Sequence, residues 1–89
     1  MPETSLLMFT GTECTHCHEM EPLVEKLEKE ENVKVARLEV WHNAENMRKL
    51  QELDKGSCGG IPFFFSTRTG KWLCGASDYN ALKAWALGT

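Results

Sequence analysis

The stretch Cys14-Thr15-His16-Cys17 decides how the rest of this sequence is interpreted. It follows a short apolar run, Leu6-Leu7-Met8-Phe9, that is typical of a buried strand, and it precedes a helical pattern. Because a helix N-terminus carries unpaired N–H groups and a partial positive charge, a thiolate at Cys14 is stabilised there. Cys17 follows about one helical turn later and can attack a mixed disulfide formed at Cys14. The stretch therefore predicts a redox pair, with Cys14 as the nucleophile and Cys17 as the resolving cysteine.

The same spacing also occurs in metal sites, so a second class of function stays open. Cys14, His16, Cys17 and His18 are all possible metal ligands. Structural zinc needs four convergent ligands, usually drawn from two chain segments, and these side chains cannot all converge at one helix start. A metal site, or an iron–sulfur cluster held through Cys14, would therefore need a second copy of the chain or an added ligand. We assign no metal ligand and expect no cofactor, and we keep a metal or iron–sulfur binding module as an alternative.

Length, charge and cysteine content restrict the possible classes of protein. The 89 residues predict a single domain, 1–89, with a thin core, which we expect to be a monomer. A net charge of −3 with both signs interspersed is not typical of a protein that binds nucleic acid or an anionic membrane. No apolar run approaches the ~20 residues of a membrane span. Four cysteines without an export signal favour a reducing compartment, so we expect a cytoplasmic protein.

Hydrophobic periodicity and turn residues predict seven elements along the chain. The predicted strands are 5–10, 33–40, 62–66 and 71–74, and the predicted helices are 15–31, 44–54 and a last one that Ser77 or Asp78 caps and Gly88 ends. The helical crossover makes the first two strands parallel and right-handed, while the short turn before Lys71 makes the last two an antiparallel hairpin. The expected fold is α/β, in the order β-α-β-α-β-β-α, with a four-stranded mixed sheet and helices on both faces.

This order, with a Cys-x-x-Cys between the first strand and the first helix, resembles the thioredoxin fold. The similarity spans residues 5–88 and includes Phe9, Pro22, Val35-Ala36-Arg37-Leu38, Gly60-Ile61-Pro62 and Gly75-Ala76. The resemblance implies a small thioredoxin- or glutaredoxin-type oxidoreductase that serves electron transport and cell redox homeostasis. Its implied partners are proteins with a disulfide or a dithiol, and its implied electron donor is a reductase or glutathione.

The resemblance also implies a substrate-binding region. Ile61–Pro62 would be a cis peptide facing the two cysteines, and the Ile61 backbone would pair with an extended segment of a partner protein. We expect Phe63 to lie near that partner and Gly75 to belong to the same region. The run Gly75-Ala76-Ser77-Asp78 is similar to the glutaredoxin segment that holds the γ-glutamyl end of glutathione. A glutathione-dependent reductase is therefore an alternative function.

Several residues depart from the thioredoxin pattern near the cysteines. Glu13 stands in place of the usual tryptophan, and Met8 replaces the buried aspartate that accepts a proton. The acceptor for the Cys17 proton is therefore open between Glu13, Glu39 and water. His16 occupies the position that histidine has in protein disulfide isomerase. A partly cationic imidazole favours the thiolate, so we expect a reduction potential above the ~−270 mV of thioredoxin.

The remaining cysteines, histidines and exposed aromatic residues are given ordinary structural roles. We expect Cys58 and Cys74 to act as small buried apolar side chains in a loop and a strand. His18 and His42 are expected to lie on the surface without a role. Trp41 and Trp72 are compatible either with the core or with an apolar docking surface around the active site.

Overall fold

The computed structural model describes residues 4–88 and has the predicted order of elements. The bounds are β1 Leu6–Thr10, α1 Thr15–Glu31, β2 Val35–Glu39, α2 Ala44–Asp54, β3 Phe63–Ser66, β4 Trp72–Cys74 and α3 Tyr79–Leu87. The sheet has the order β2-β1-β3-β4. β1 is parallel to β2 and antiparallel to β3, which pairs with β4 in an antiparallel hairpin. The predicted α/β class and mixed sheet are therefore confirmed, and the strands are slightly shorter than predicted.

Strand β1 is the centre of the sheet, and its apolar residues are all buried. Leu6 and Met8 join the cluster under α1 and α3, whereas Leu7 and Phe9 join the cluster under α2. Successive side chains of a strand point to opposite faces, so one short strand supplies both halves of the core. Helices α1 and α3 thus cover one face of the sheet, and α2 covers the other.

Polar side chains fix where the second and third helices begin. The Asn43 side chain accepts a hydrogen bond from the Asn46 N–H at 3.1 Å. Asp78 does the same for the Ala81 N–H at 2.8 Å. Both caps satisfy a backbone donor that the first helical turn leaves unpaired. Within residues 4–88, no helix is long and apolar enough to span a membrane.

Phe63 corrects one expectation from the sequence. Its side chain is only 1% exposed, and it packs within the cluster under α2. The ring centroid lies 6.1 Å from that of Phe9 and 6.0 Å from that of Trp72. The prediction that the Phe63 side chain faces a partner is wrong, because strand alternation directs it inward from the first position of β3.

Arg37 ties β2 to α1 through two carboxylates. Its guanidinium lies 3.1 Å from Glu21 and 2.8 Å from Glu28. Desolvation opposes ionisation of Glu28, but the hydrogen bonds from Arg37 and the Val35 N–H outweigh it and lower the pKa of Glu28. Arg37 therefore stabilises the packing of the helix that carries the two cysteines.

The aromatic run of β3 provides a matched test of the core. Phe64 is fully buried and packs edge-on against Trp85 with ring centroids 5.5 Å apart, whereas the next residue, Phe65, is only partly buried. We expect Phe64→Ala to lower the free energy of unfolding by about 3–5 kcal/mol, because it leaves a cavity. Phe65→Ala should cost clearly less in the same urea titration. An equal loss of unfolding free energy in the two variants would contradict the difference in burial between Phe64 and Phe65.

Candidate active site

Cys14 and Cys17 form a disulfide at the N-terminus of α1. Their Cα atoms are 5.2 Å apart, and Cys14 is the N-cap of the helix. The Cys14 Sγ accepts a hydrogen bond from the Cys17 N–H at 3.2 Å. Cys14 is 6% exposed and Cys17 is 1% exposed. A backbone donor therefore points at the sulfur of the more accessible cysteine, and this arrangement stabilises negative charge at Cys14 rather than at Cys17.

The turn that leads into Cys14 is held by a close approach of three residues. The Cys14 N–H donates to the Gly11 carbonyl at 3.1 Å. A Cβ atom on Gly11 would lie 2.7 Å from the Trp41 ring and 2.8 Å from the Ile61 side chain. Only glycine fits between these two side chains without a shift of one of them. Gly11 thus brings the tryptophan that follows β2 and the loop that precedes β3 beside the cysteine turn.

The carboxylate of Glu39 joins the loops that follow the two parallel strands. It accepts hydrogen bonds from the N–H groups of Thr12 at 3.1 Å, Trp41 at 3.2 Å and His42 at 2.8 Å. Desolvation opposes its ionisation, but the donors from His42, Thr12 and Trp41 and the charge of His42 outweigh it and lower the pKa of Glu39. A carboxylate with a lowered pKa is a weaker base, so Glu39 is a poor acceptor for the Cys17 proton.

A second contact between the same two loops joins Glu13 to His42. The His42 Nε2 lies 2.8 Å from a carboxylate oxygen of Glu13, and both side chains are exposed. The hydrogen bond with Glu13, the Glu13 charge and the Glu39 charge raise the pKa of His42. His42 lies on the surface, as expected, but it has a partner there that the sequence did not indicate. Sequence reasoning missed this contact, although parallel strands end at one edge of a sheet and bring the loops that follow them together.

The loop before β3 contains Ile61 and Pro62 and lies next to the face of the sheet that carries Cys14 and Cys17. The peptide bond between these two residues is cis. Pro62 is buried, and its carbonyl accepts a hydrogen bond from the Gly75 N–H at 2.8 Å. Ile61 is partly buried and contacts both halves of the core, including the cluster that contains Cys14 and Cys17. Pro62, Ile61 and Gly75 are therefore brought together, whereas the Phe63 side chain is not part of this surface.

An open cleft of about 410 Å³ lies on the α2 side of this loop. Its lining includes Trp41, Met47, Leu50, Gly59, Gly60 and Ile61. Trp41 is 48% exposed. We call the surface formed by Trp41, Gly59, Gly60 and Ile61 the docking cleft. The sequence left Trp41 undecided between the core and the surface, and its position directly after a strand is the one signal that favours the surface.

The two histidines of the first helical turn contact different groups. The His16 Nδ1 lies 2.9 Å from Glu19, and both side chains are largely exposed. The His18 Nε2 lies 2.6 Å from the Thr12 carbonyl. In the described part of the chain, the group whose ligand atoms come together is Glu13, Glu39 and His42, without a cysteine. The ligand atoms of Cys14, His16, Cys17 and His18 therefore do not converge in the way that a zinc site requires.

Cys58 and Cys74 correct another expectation. They form a second disulfide with Cα atoms 5.5 Å apart, although they are separated by 16 positions in the sequence. Cys74 is exposed, and Cys58 is partly buried. The prediction that both are small buried apolar side chains is wrong, because the hairpin places the end of β4 next to the loop before β3.

Comparison with known proteins agrees with the observed fold. A family model described as thioredoxin matches residues 2–86. The chain is also similar to the crystal structure of a glutaredoxin from Archaeoglobus fulgidus, with 18% identity and a TM-score of 0.63. That match covers 93% of this chain and 86% of the other, and at this identity it shows the fold alone. No curated protein sequence matches the chain. The thioredoxin-like fold expected from the sequence is confirmed.

The close approach at Gly11 predicts a strong effect of one methyl group. Gly11→Ala places a Cβ against the Trp41 ring and Ile61, so we expect a loss of about 1–3 kcal/mol in the free energy of unfolding. Gly60→Ala is the matched control, because a Cβ there meets nothing within 4 Å. The measurement is urea unfolding of both variants. A Gly11→Ala protein as stable as the Gly60→Ala protein would contradict the close packing.

The Glu13–His42 contact predicts a pH-dependent contribution to stability. Because the pKa of His42 is raised in the folded state, the contribution is fully present below the unfolded value near 6.5 and is lost as the pH rises through the folded value. We expect the wild type to exceed His42→Gln in melting temperature at pH 5.5, and this difference to shrink towards pH 9. Glu13→Gln should weaken the same pH dependence, with the remainder supplied by the Glu39 charge. A difference that grows with pH would refute the assignment.

Proposed function

Because the chain belongs to the thioredoxin family, whose members are typically thiol–disulfide oxidoreductases, we propose that Cys14 and Cys17 exchange a disulfide with cysteines of partner proteins. The observation that carries this proposal is the disulfide between Cys14 and Cys17 at the N-terminus of α1, with the Cys17 N–H pointing at the Cys14 sulfur. The proposal takes Cys14 as the nucleophile, since it is the helix N-cap and the more exposed of the two.

The proposed reaction has two displacement steps. The Cys14 thiolate attacks one sulfur of a partner disulfide, and the other partner sulfur leaves as a thiolate. Cys17 then loses its proton and attacks the Cys14 sulfur of the mixed disulfide, which releases the second partner sulfur. The partner disulfide gains two electrons and two protons, and the Cys14–Cys17 dithiol becomes a disulfide. The reverse sequence oxidises a partner dithiol.

Water is the acceptor that we propose for the Cys17 proton. Three backbone donors and the charge of His42 lower the pKa of Glu39 and make it a weaker base, and Glu13 is engaged with His42. Neither carboxylate is therefore poised as a base for Cys17. Met8, which replaces the thioredoxin aspartate, is fully buried in the same cluster as the two cysteines and offers no proton-accepting group.

Partner recognition is proposed at the loop that carries the cis-proline. Ile61 lies outside β3, and the turn and loop hydrogen bonds found in residues 4–88 do not include its peptide groups. They are therefore suited to pair with an extended partner segment next to Cys14. Gly75 supports this loop through its hydrogen bond to the Pro62 carbonyl. Trp41 supplies exposed apolar area to the docking cleft beside it.

Glutathione dependence is the second candidate, and one observation favours it. The hydrogen bond between the Gly75 N–H and the Pro62 carbonyl places the Gly75–Asp78 run beside the cis-proline loop. Asp78 caps α3 in the same run. A reductase and glutathione therefore both remain as proposed electron donors for a protein that works in a reducing compartment.

Variants of the two cysteines test the proposed exchange. We expect Cys14→Ser to abolish reduction of a disulfide protein such as insulin, because the proposed nucleophile is removed and Cys17 is almost fully buried. Cys17→Ser should stop at a mixed disulfide that mass spectrometry detects on Cys14. Supplying either glutathione or a thioredoxin reductase with its nicotinamide cofactor identifies the electron donor. Full activity of Cys14→Ser would refute the proposal.

The reduction potential tests the proposed influence of His16. A cationic imidazole favours the Cys14 thiolate, so we expect a potential above the ~−270 mV of thioredoxin and a lower value for His16→Ala. His18→Ala is the matched control on the same helical turn. The measurement is a titration of the Cys14–Cys17 pair against dithiothreitol. An unchanged reduction potential in His16→Ala would show that His16 does not tune the Cys14–Cys17 pair.

A further inference from the structure

The Cys58–Cys74 disulfide lies on the opposite face of the sheet from the Cys14–Cys17 pair. Cys74 stands directly opposite Phe63 in the β3–β4 ladder, and residues paired in this way project to the same face. Phe63 and Cys58 belong to the cluster under α2, whereas Cys14 and Cys17 belong to the cluster under α1 and α3. The sheet therefore separates the two disulfides, and each has its own access to solvent.

Solvent access is greater at this second disulfide. Cys74 is exposed on β4, which is an edge strand of the sheet, and Trp72 on the same strand is 48% exposed. Cys14, by contrast, is 6% exposed. Exposed disulfides are more readily reduced than buried structural ones, because an attacking thiolate reaches the sulfur without opening the core. Cys74 is the accessible end of this bond, since Cys58 is partly buried.

The fold holds the two cysteines together without their bond. The β3–β4 ladder fixes Cys74, and the buried carboxylate of Asp54 fixes the loop that contains Cys58. Asp54 accepts hydrogen bonds from the Cys58 N–H at 2.6 Å and the Gly59 N–H at 2.9 Å. The Cys58 Sγ also lies 3.6 Å from the Gly60 carbonyl, which can accept from a free thiol. Reduction should therefore leave the thiols close enough to pair again.

The same bond constrains one wall of the docking cleft. Cys58 is followed directly by Gly59, Gly60 and Ile61, which line that cleft with Trp41. The disulfide and the Asp54 carboxylate hold the start of this segment, and the Gly75–Pro62 hydrogen bond holds its end. When the disulfide opens, the glycines next to Ile61 lose one of these constraints.

We propose that Cys58 and Cys74 form a second thiol–disulfide exchange site, which takes low-molecular-weight thiols at Cys74 and loosens the Gly59–Ile61 segment when it is reduced. A thiolate attacks the Cys74 sulfur, the bond to Cys58 breaks, and Cys58 leaves with the electron pair and takes a proton from water. A second thiol attacks the mixed disulfide, so that Cys74 becomes a thiol and the reagent becomes a disulfide. The protein pair gains two electrons, and two reagent thiols lose them.

The experiment separates this site from Cys14 and Cys17, so its outcome does not depend on the function proposed above. The double variant Cys14→Ser/Cys17→Ser is equilibrated in glutathione–glutathione disulfide buffers, and free thiols are alkylated under native conditions and counted by mass spectrometry. We expect a single reversible transition between zero and two thiols, located on Cys58 and Cys74, with an unchanged circular dichroism spectrum.

Two results would overturn the assignment of the site. A disulfide that persists at every glutathione ratio would show that the bond is only a structural crosslink. Thiols that persist in glutathione disulfide would show that the pair does not form. If the double variant does not fold, Cys14→Ser alone serves, because Cys17 is then a single thiol that peptide mapping counts separately.

Hydrogen exchange tests the effect on the docking cleft. Among the amides of 59–61, we expect that of Gly59, which donates to the Asp54 carboxylate, to exchange severalfold faster in the reduced double variant than in its oxidised form. Cys58→Ser/Cys74→Ser in the otherwise unchanged chain should show the same faster exchange. The amides of Val24 and Leu27 in α1, on the other face of the sheet, are the internal control. Equal exchange at 59–61 in both redox states would refute the coupling.

Discussion

The burial of β1 between two neighbouring strands is the constraint on which the rest of the structure depends. Its residues Leu6–Phe9 are all buried, and they alternate between the two halves of the core. Strand β3 also supplies one buried phenylalanine to each half, Phe64 and Phe63, but its third apolar residue, Phe65, is only partly buried. Because β1 is fixed from both sides, the loop that leaves it has a defined start, and Cys14 is placed at the end of that loop.

The parallel pairing of β1 with β2 then determines the surroundings of the cysteine turn. Both strands end at the same edge, so the loops after Thr10 and Glu39 lie side by side. The Glu39 carboxylate bridges these loops, and the Glu13–His42 contact joins them again. Charged groups near the cysteines thus hold the loops in place. The cysteines themselves are packed against apolar residues, which favours the thiolate only where the helix N-terminus supplies donors.

The loop before β3 connects the two disulfides of the chain. Ile61 contacts both halves of the core, and Cys58 starts the same loop on the face away from Cys14. Because Ile61 also packs against the cluster that contains Cys14 and Cys17, a small movement of this loop changes the surface next to both cysteines. One protein thus carries two disulfides with different exposure, one at a helix N-terminus and one on an edge strand.

The fold and the pairing of Cys14 with Cys17 could be predicted because their signals are local. The apolar run of β1, the stripe along α1 and the Cys14–Cys17 spacing all lie within short segments, and the cis-proline loop followed from resemblance. The wrong expectations concern contacts between distant segments. The position after Pro62 suggests that Phe63 faces a partner, but strand alternation buries its side chain. The contact between His42 and Glu13 is hidden in the sequence because the two residues are far apart in the chain.

The sequence by itself determined the order of elements, the helix N-terminus at Cys14 and the pairing of Cys14 with Cys17, because hydrophobic period and capping act over a few residues. Only the tertiary structure decided that Cys58 meets Cys74, that Trp41 stays exposed beside Gly11, and that backbone donors lower the pKa of Glu39. These features depend on strand order and register, which bring residues far apart in the chain to within hydrogen-bonding or bonding distance.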